Sequence, residues 1–153
     1  MTLAVSVVIP AYNEGDGVVA ILDRIFQSVE STVEVLVVVD FAEDTTIPVV
    51  LNHPRFGNGL DLLINTYGRG PAHAIRFGID NASHGVVVVT MADGSDDPRQ
   101  IDPLARLVER GGRGRGSVAL LPRRAAGRRP TAQGPDLAGR RPIARHPRPG
   151  RHP

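Results

Sequence analysis

A chain of 153 residues is long enough for one domain with its own core. It has no cysteine, which excludes a disulfide framework and a thiolate metal site, and no stretch nears the roughly 20 apolar residues of a membrane span. The net charge of +2 hides a split: residues 1–111 carry 7 Arg against 15 acids, a net of −8, whereas residues 112–153 carry 11 Arg against Asp136 alone, a net of +10.

The N-terminus has no basic leader and reads as a strand rather than a signal peptide. Ala4 to Pro10 is a valine-rich buried strand, interrupted by Ser6 and ended by Pro10. Ala11 to Gly17 is a loop. From Val18 to Ser31, apolar residues fall at Val18, Ile21, Leu22, Ile25, Phe26 and Val29, the stripe of an amphipathic helix. Val33 to Val39 is a second strand, ending in Asp40. A loop follows, with Asp44 or Thr45 capping a short helix over residues 49–52. Leu60 to Ile64 is a third strand, and Asn65 to Gly70 a loop. Pro71 to Ser83 is a second helix, with Ala74, Ile75, Phe77, Gly78 and Ile79 toward the sheet. Val86 to Val89, inside a strand over residues 85–92, is an unbroken β-branched run of the kind buried on both faces. Asp97 as N-cap and Pro98 in the first helical position start a helical turn. The main helix restarts at Pro103, capped by Asp102, and runs to Arg110. Strands alternating with helices predict an α/β domain with a mostly parallel sheet, over residues 1–111.

Beyond Gly111 the pattern stops. Residues 112–153 hold seven Pro, seven Gly and 11 Arg, and only Ser117 to Leu121 is strand-like. The remainder buries too little apolar surface to offset chain entropy, so a disordered basic tail is expected.

Several residues fall where α/β sheets hold ligands. Asp93 follows the fourth strand at its carboxyl end, the edge at which open parallel sheets bind. A carboxylate on such a turn suits a divalent metal held against a diphosphate, and Ser95 adds an oxygen. Asp96 and Asp97 read as caps. Arg69 lies between two glycines at a helix entrance, where backbone and guanidinium can both meet phosphate. His53, His73 and His84 lack metal-ligand spacing and read as surface residues.

Four stretches carry a resemblance. They are Val5-Ser6-Val7-Val8-Ile9-Pro10-Ala11-Tyr12-Asn13-Glu14, Val35-Leu36-Val37-Val38-Val39-Asp40, Gly68-Arg69-Gly70-Pro71-Ala72, and Val89-Thr90-Met91-Ala92-Asp93-Gly94-Ser95-Asp96-Asp97-Pro98. In order and spacing they resemble the family 2 glycosyltransferases of GT-A (Rossmann-like) fold, in particular the dolichyl- or polyprenyl-phosphate sugar synthases. The resemblance covers residues 4–111. It implies inverting transfer of a sugar from a GDP- or UDP-linked donor to a polyprenyl phosphate, with Mg²⁺ or Mn²⁺. By the same resemblance Asp40 accepts from the base, Glu14 lies by the ribose, Pro10 and Tyr12 pack the base, Arg69 meets the nucleotide, and Asp93 contacts the metal. No catalytic base is assigned, because a phosphate acceptor arrives ionised. The implied setting is cytoplasmic, peripheral at the inner face of the membrane.

The chain departs from the family pattern in three places. Met91-Ala92-Asp93 stands where the family has Asp-x-Asp, and Asp40 is followed by Phe41-Ala42-Glu43-Asp44 rather than by a run of acids. Arginine-rich low complexity stands where the family has its acceptor-binding half. All-Arg, no-Lys usage suits GC-rich DNA read out of frame, so a frameshifted tail and a truncated, inactive chain are expected.

Two rival readings remain at this level. Gly15-Asp16-Gly17-Val18-Val19-Ala20 matches the G-x-G-x-x-A dinucleotide fingerprint, with Asp40 at the right remove, although Glu14 and Asp16 would repel pyrophosphate. The basic tail could hold nucleic acid or an anionic membrane by charge alone. It has no interleaved aromatics, so no specific nucleic acid is expected.

Overall fold

Runs of valine and isoleucine form the centre of the molecule, since β-branched side chains suit a pleated surface covered on both sides. A computed structural model describes residues 3–111 and 117–121. Its elements are β1 (Ala4–Pro10), α1 (Gly17–Ser28), β2 (Thr32–Val39), α2 (Thr46–Leu51), β3 (Leu60–Ile64), α3 (Pro71–Asp80), β4 (Val86–Val89), a 3₁₀ turn (Pro98–Gln100), α4 (Ile101–Arg110) and β5 (Ser117–Leu120). The strands form one sheet in the order β3-β2-β1-β4-β5, and every pairing is parallel. The expected α/β class and parallel sheet are what the chain adopts, and the strand-like stretch beyond Gly111 is β5. The disorder expected of the basic tail concerns residues 112–116 and 122–153, which lie outside the described residues.

The sheet has a core on each face. Val5, Val7 and Ile9 of β1 meet Val35, Val37 and Val39 of β2 beneath α1, α2 and α4, with Ile21, Leu22, Ile25, Ile101 and Ala105 filling the layer. Val8, Leu36, Val38, Val87 and Val89 face the other way, under Ala74, Ile75 and Phe77 of α3. α3 lies close on the sheet at Gly78, where an added Cβ would fall well inside contact with Val8.

Several local expectations are corrected by side-chain bonds between distant residues. The short helix spans Thr46–Leu51 rather than residues 49–52, and Asp44, not Thr45, caps it: Asp44 Oδ1 accepts from the Thr46 amide at 2.8 Å. α4 starts at Ile101 without a restart at Pro103, which falls in the first turn, where a missing N–H removes no intrahelical bond. Asp102 is not its cap. Its carboxylate crosses to the end of α1, accepting from the Glu30 amide at 2.8 Å and the Ser31 hydroxyl at 2.5 Å. Those bonds also account for α1 ending at Ser28, three residues before the expected end at Ser31. α3 likewise stops at Asp80, and the Ser83 amide and hydroxyl turn to the Glu34 carboxylate at 3.0 and 2.8 Å. β4 ends at Val89, short of residue 92, because the chain turns at Met91 toward Asp96.

His53 is buried rather than on the surface. Its Nε2 lies 3.1 Å from Asp23 Oδ1, and its Nδ1 accepts from the Arg55 amide at 3.1 Å. Nδ1 is therefore the unprotonated nitrogen, and Nε2 carries the hydrogen toward Asp23. Among the described residues, no helix is long and apolar enough to cross a membrane.

A candidate nucleotide-sugar site at the carboxyl edge of the sheet

β1 leads through α1 to β2 on one side, and β4 leads through α4 to β5 on the other, so the chain leaves these neighbouring strands in opposite directions along the sheet. Open parallel sheets hold their ligands outside the carboxyl ends at such a switch point. A cleft of about 470 Å³ opens there, lined by Pro10, Ala11, Tyr12, Glu14, Asp40, Arg69, Gly70, Pro71, Ala74 and Met91. Pro10, Tyr12, Glu14, Asp40 and Arg69, singled out from the sequence, thus come together in one cavity from the ends of β1 and β2 and the loop before α3.

The β1–α1 loop is tied down by residues that the sequence reading did not single out as part of a site. Asp44 is 2% exposed, and its Oδ2 accepts from the Asn13 amide at 2.9 Å. Thr46 Oγ1 accepts from the Glu14 amide at 3.0 Å, and Asn13 Oδ1 accepts from the Thr45 amide at 3.2 Å. These bonds hold Tyr12 to Glu14 against the start of α2, with Asn13 in the left-handed region at φ 48°. Tyr12 is 65% exposed and stands edge-on to Phe41, with centroids 5.7 Å apart. Its ring is free to cover a flat ligand entering the cleft.

Asp40 is held on both oxygens. Oδ1 accepts from Asn65 Nδ2 at 2.9 Å, and Oδ2 accepts from the Gly70 amide at 2.7 Å. A carboxylate oxygen takes two hydrogen bonds, so each keeps capacity for a ligand donor. Arg69 is exposed between Gly68 and Gly70, whose φ values of 119° and 111° are open to glycine alone at low cost.

The acidic turn after β4 is built differently from its reading as a set of caps. Asp96 is no helix cap. It is 2% exposed, and its Oδ2 accepts from Thr90 Oγ1 at 2.8 Å and from the Met91 amide at 3.0 Å, closing the end of the strand. Asp97 does cap, accepting from the Arg99 amide at 3.2 Å. Asp93 is exposed, and its Oδ1 accepts from the Ser95 amide at 2.9 Å. Neither Asp93 nor Ser95 lines the cleft, although they follow Met91, which does.

Among the described residues no three His, Cys, Asp or Glu side chains converge to hold a metal. Ser95 Oγ and Asp96 Oδ1 are nevertheless buried with no hydrogen-bond partner, in the turn whose Ser95 amide donates to Asp93 Oδ1. These oxygens suit a hard cation that draws its other ligands from a diphosphate and water, as Mg²⁺ commonly does. A divalent ion here would have to take most of its ligands from a nucleotide and water, since no protein cage is present among the described residues.

The chain matches the model of the family described as Glycosyl transferase family 2 over residues 6–134. It belongs to that family. The match takes in the four stretches of the sequence resemblance from Ser6 onward, and β5. A domain of this family binds a nucleotide-sugar donor, and its members commonly use divalent metals. No curated protein matches the chain. Gly15 and Gly17, which carried the dinucleotide fingerprint, open α1 but are not among the residues lining the cleft.

Proposed function

We propose that the cleft holds a GDP- or UDP-linked sugar for inverting transfer to a polyprenyl phosphate at the inner face of a membrane. The observation that carries the reading is the meeting of Pro10, Tyr12, Glu14, Asp40 and Arg69 in one cavity of a glycosyltransferase domain. In this reading Pro10 and Tyr12 sandwich the base. Asp40 accepts from a ring N–H, the hydrogen common to uracil and guanine. Glu14 accepts from ribose hydroxyls. Arg69 and the amides at the start of α3 face the diphosphate, since a helix N-terminus and a guanidinium both favour anions. Asp93 and Ser95 would hold Mg²⁺ or Mn²⁺, which when bound offsets charge on the departing diphosphate. A phosphate acceptor is already ionised, so transfer to it needs no protein base in this reading. Residues 1–111, with β5 at the edge of the same sheet, act as the donor side in this reading.

Calorimetric titration of GDP, UDP and NADH with and without Mn²⁺ tests this. Salt of about 0.3 M suppresses adventitious binding to exposed arginines. Metal-dependent binding of GDP or UDP is expected, with the metal dependence lost in Asp93→Ala. Binding of NADH alone would move the assignment to the dinucleotide reading, and a folded chain that binds no nucleotide would refute the proposal.

A further inference from the structure

Asn65 stands directly after β3 and is 7% exposed. Its backbone amide donates to Val39 O at 2.8 Å, fixing it beside the end of β2. Its side chain does three things at once. Nδ2 donates to Asp40 Oδ1 at 2.9 Å and to the Gly68 carbonyl, and Oδ1 accepts from the Tyr67 amide at 2.8 Å. The amide orientation follows from these partners, since the reverse would set its oxygen against two acceptors.

These bonds run to the site rather than to the apolar core. They curl residues 65–68 into a side-chain-closed turn, which brings the Gly70 amide within 2.7 Å of the other Asp40 oxygen. Arg69 is carried between the two anchored positions. Gly68 and Gly70 would otherwise leave this segment many conformations, because glycine adopts positive φ freely. Only a short amide satisfies the arrangement. A carboxylate cannot donate to Asp40, and alanine or serine cannot span both partners.

We infer that Asn65 is a positioning residue for the donor, orienting the Asp40 carboxylate and holding the loop that presents Arg69. The inference rests on the proposed nucleotide site. Asn65 touches no ligand in this account, and its effect passes through Asp40 and the loop.

The test uses the full chain and GDP or UDP, whichever wild type binds, at pH 7.5 and 5.5 with Mn²⁺ and about 0.3 M salt. Asn65→Asp conserves shape but sets two carboxylates against each other. Nucleotide affinity is expected to fall at least about tenfold at pH 7.5, a step of about 1.4 kcal/mol. Paired carboxylates retain a proton at higher pH than isolated ones. At pH 5.5 a shared proton therefore restores a bond to Asp40, and affinity recovers relative to wild type. Asn65→Ala is expected to lose affinity at both pH values without recovery. Wild-type affinity in either folded variant at pH 7.5, or loss in Asn65→Asp without recovery at pH 5.5, overturns the positioning role. Thermal melts show which variants are folded, and if Asn65→Asp is unfolded at pH 7.5 the folded Asn65→Ala chain decides. Failure of wild type itself to bind is a separate result, which removes the nucleotide reading and this inference together.

Discussion

Replacing Gly78 by alanine inserts one methyl group where α3 lies closest to the sheet. An alanine Cβ there would sit 3.1 Å from Val38 Cγ2 and 3.2 Å from Val8 Cγ2, and closer still to Val8 Cγ1. Both valines are 0% exposed, and their branched side chains have few alternative rotamers, so the helix must lift. Overpacking of this kind costs about 1–3 kcal/mol. The gain in helix propensity from glycine to alanine returns about 0.8–1.0 kcal/mol. Stiff neighbours place the clash in the upper part of its range, so the net loss is about 1–2 kcal/mol. At about 2–4 °C per kcal/mol for a chain of this length, that lowers Tm by about 2–8 °C. Urea unfolding of wild type, Gly78→Ala, Val8→Ala and the double variant would measure it. In the Val8→Ala background both Val8 contacts are gone and only Val38 Cγ2 at 3.1 Å remains, so Gly78→Ala should cost clearly less there than in wild type. Pro71 and Ala74 line the cleft from the same helix, so Gly78→Ala should also weaken nucleotide binding. A Tm equal to or above that of wild type would refute the reasoning, because it would mean that α3 packs loosely enough to take the methyl group.

Asp102→Asn should cost about 1–3 kcal/mol in urea unfolding at pH 7, since a charged acceptor for Glu30 and Ser31 is lost. Burial pushes the Asp102 carboxyl up, but the Ser31 hydroxyl, the Glu30 and Ser31 amides and Arg106 outweigh it, so its pKa lies below the ordinary 3.8. A lowered pKa contributes stability above the unfolded value that is lost as pH falls through the folded one, so the variant's deficit should shrink below about pH 4. Glu34 behaves alike: burial raises its pKa, while hydrogen bonds from Ser6 and Ser83 and the charge of His84 bring it below 4.5. In Glu34→Gln, stability measured against pH should be less steep on the acid side. Asp44→Ala frees the Asn13 amide and uncaps α2, so Tm should fall and nucleotide affinity with it; unchanged affinity in calorimetry would show that the loop holding Tyr12 and Glu14 does not need this anchor.

Much of the architecture was legible in local pattern. The valine runs of β1, β2 and β4 and the apolar stripe of α1 need only residue type and spacing to be read. Pro10, Tyr12, Glu14 and Asp40 were picked out through the family resemblance, and Arg69 also from its flanking glycines; they meet because a parallel sheet gathers the carboxyl ends of its strands at one edge. What pattern missed lay between elements. Asp102 and Asp96 look like caps because each stands beside a helix start, yet their partners are residues 71 or 72 positions away for Asp102 and at the end of β4 for Asp96. His53 has no neighbour in sequence that signals burial, and Asp23 and Phe26 reach it only once α1 has docked. Asn65 carried a weak signal, an Asn opening a glycine-containing turn.

Chain order and hydrophobic periodicity were enough for the class of fold, the parallel sheet and the edge at which the cleft opens, because those follow from which residues resist water and how far apart they stand. Packing decided what each carboxylate holds. Asp44 and Asp102 hold backbone amides inside the fold, Asp96 closes the end of β4 with one oxygen, Asp93 lies exposed with Oδ1 on the Ser95 amide, and Asp40 is oriented by Asn65 and Gly70. A buried carboxylate must find donors, and which donors it finds depends on how helices and loops distant in sequence come to rest against the sheet.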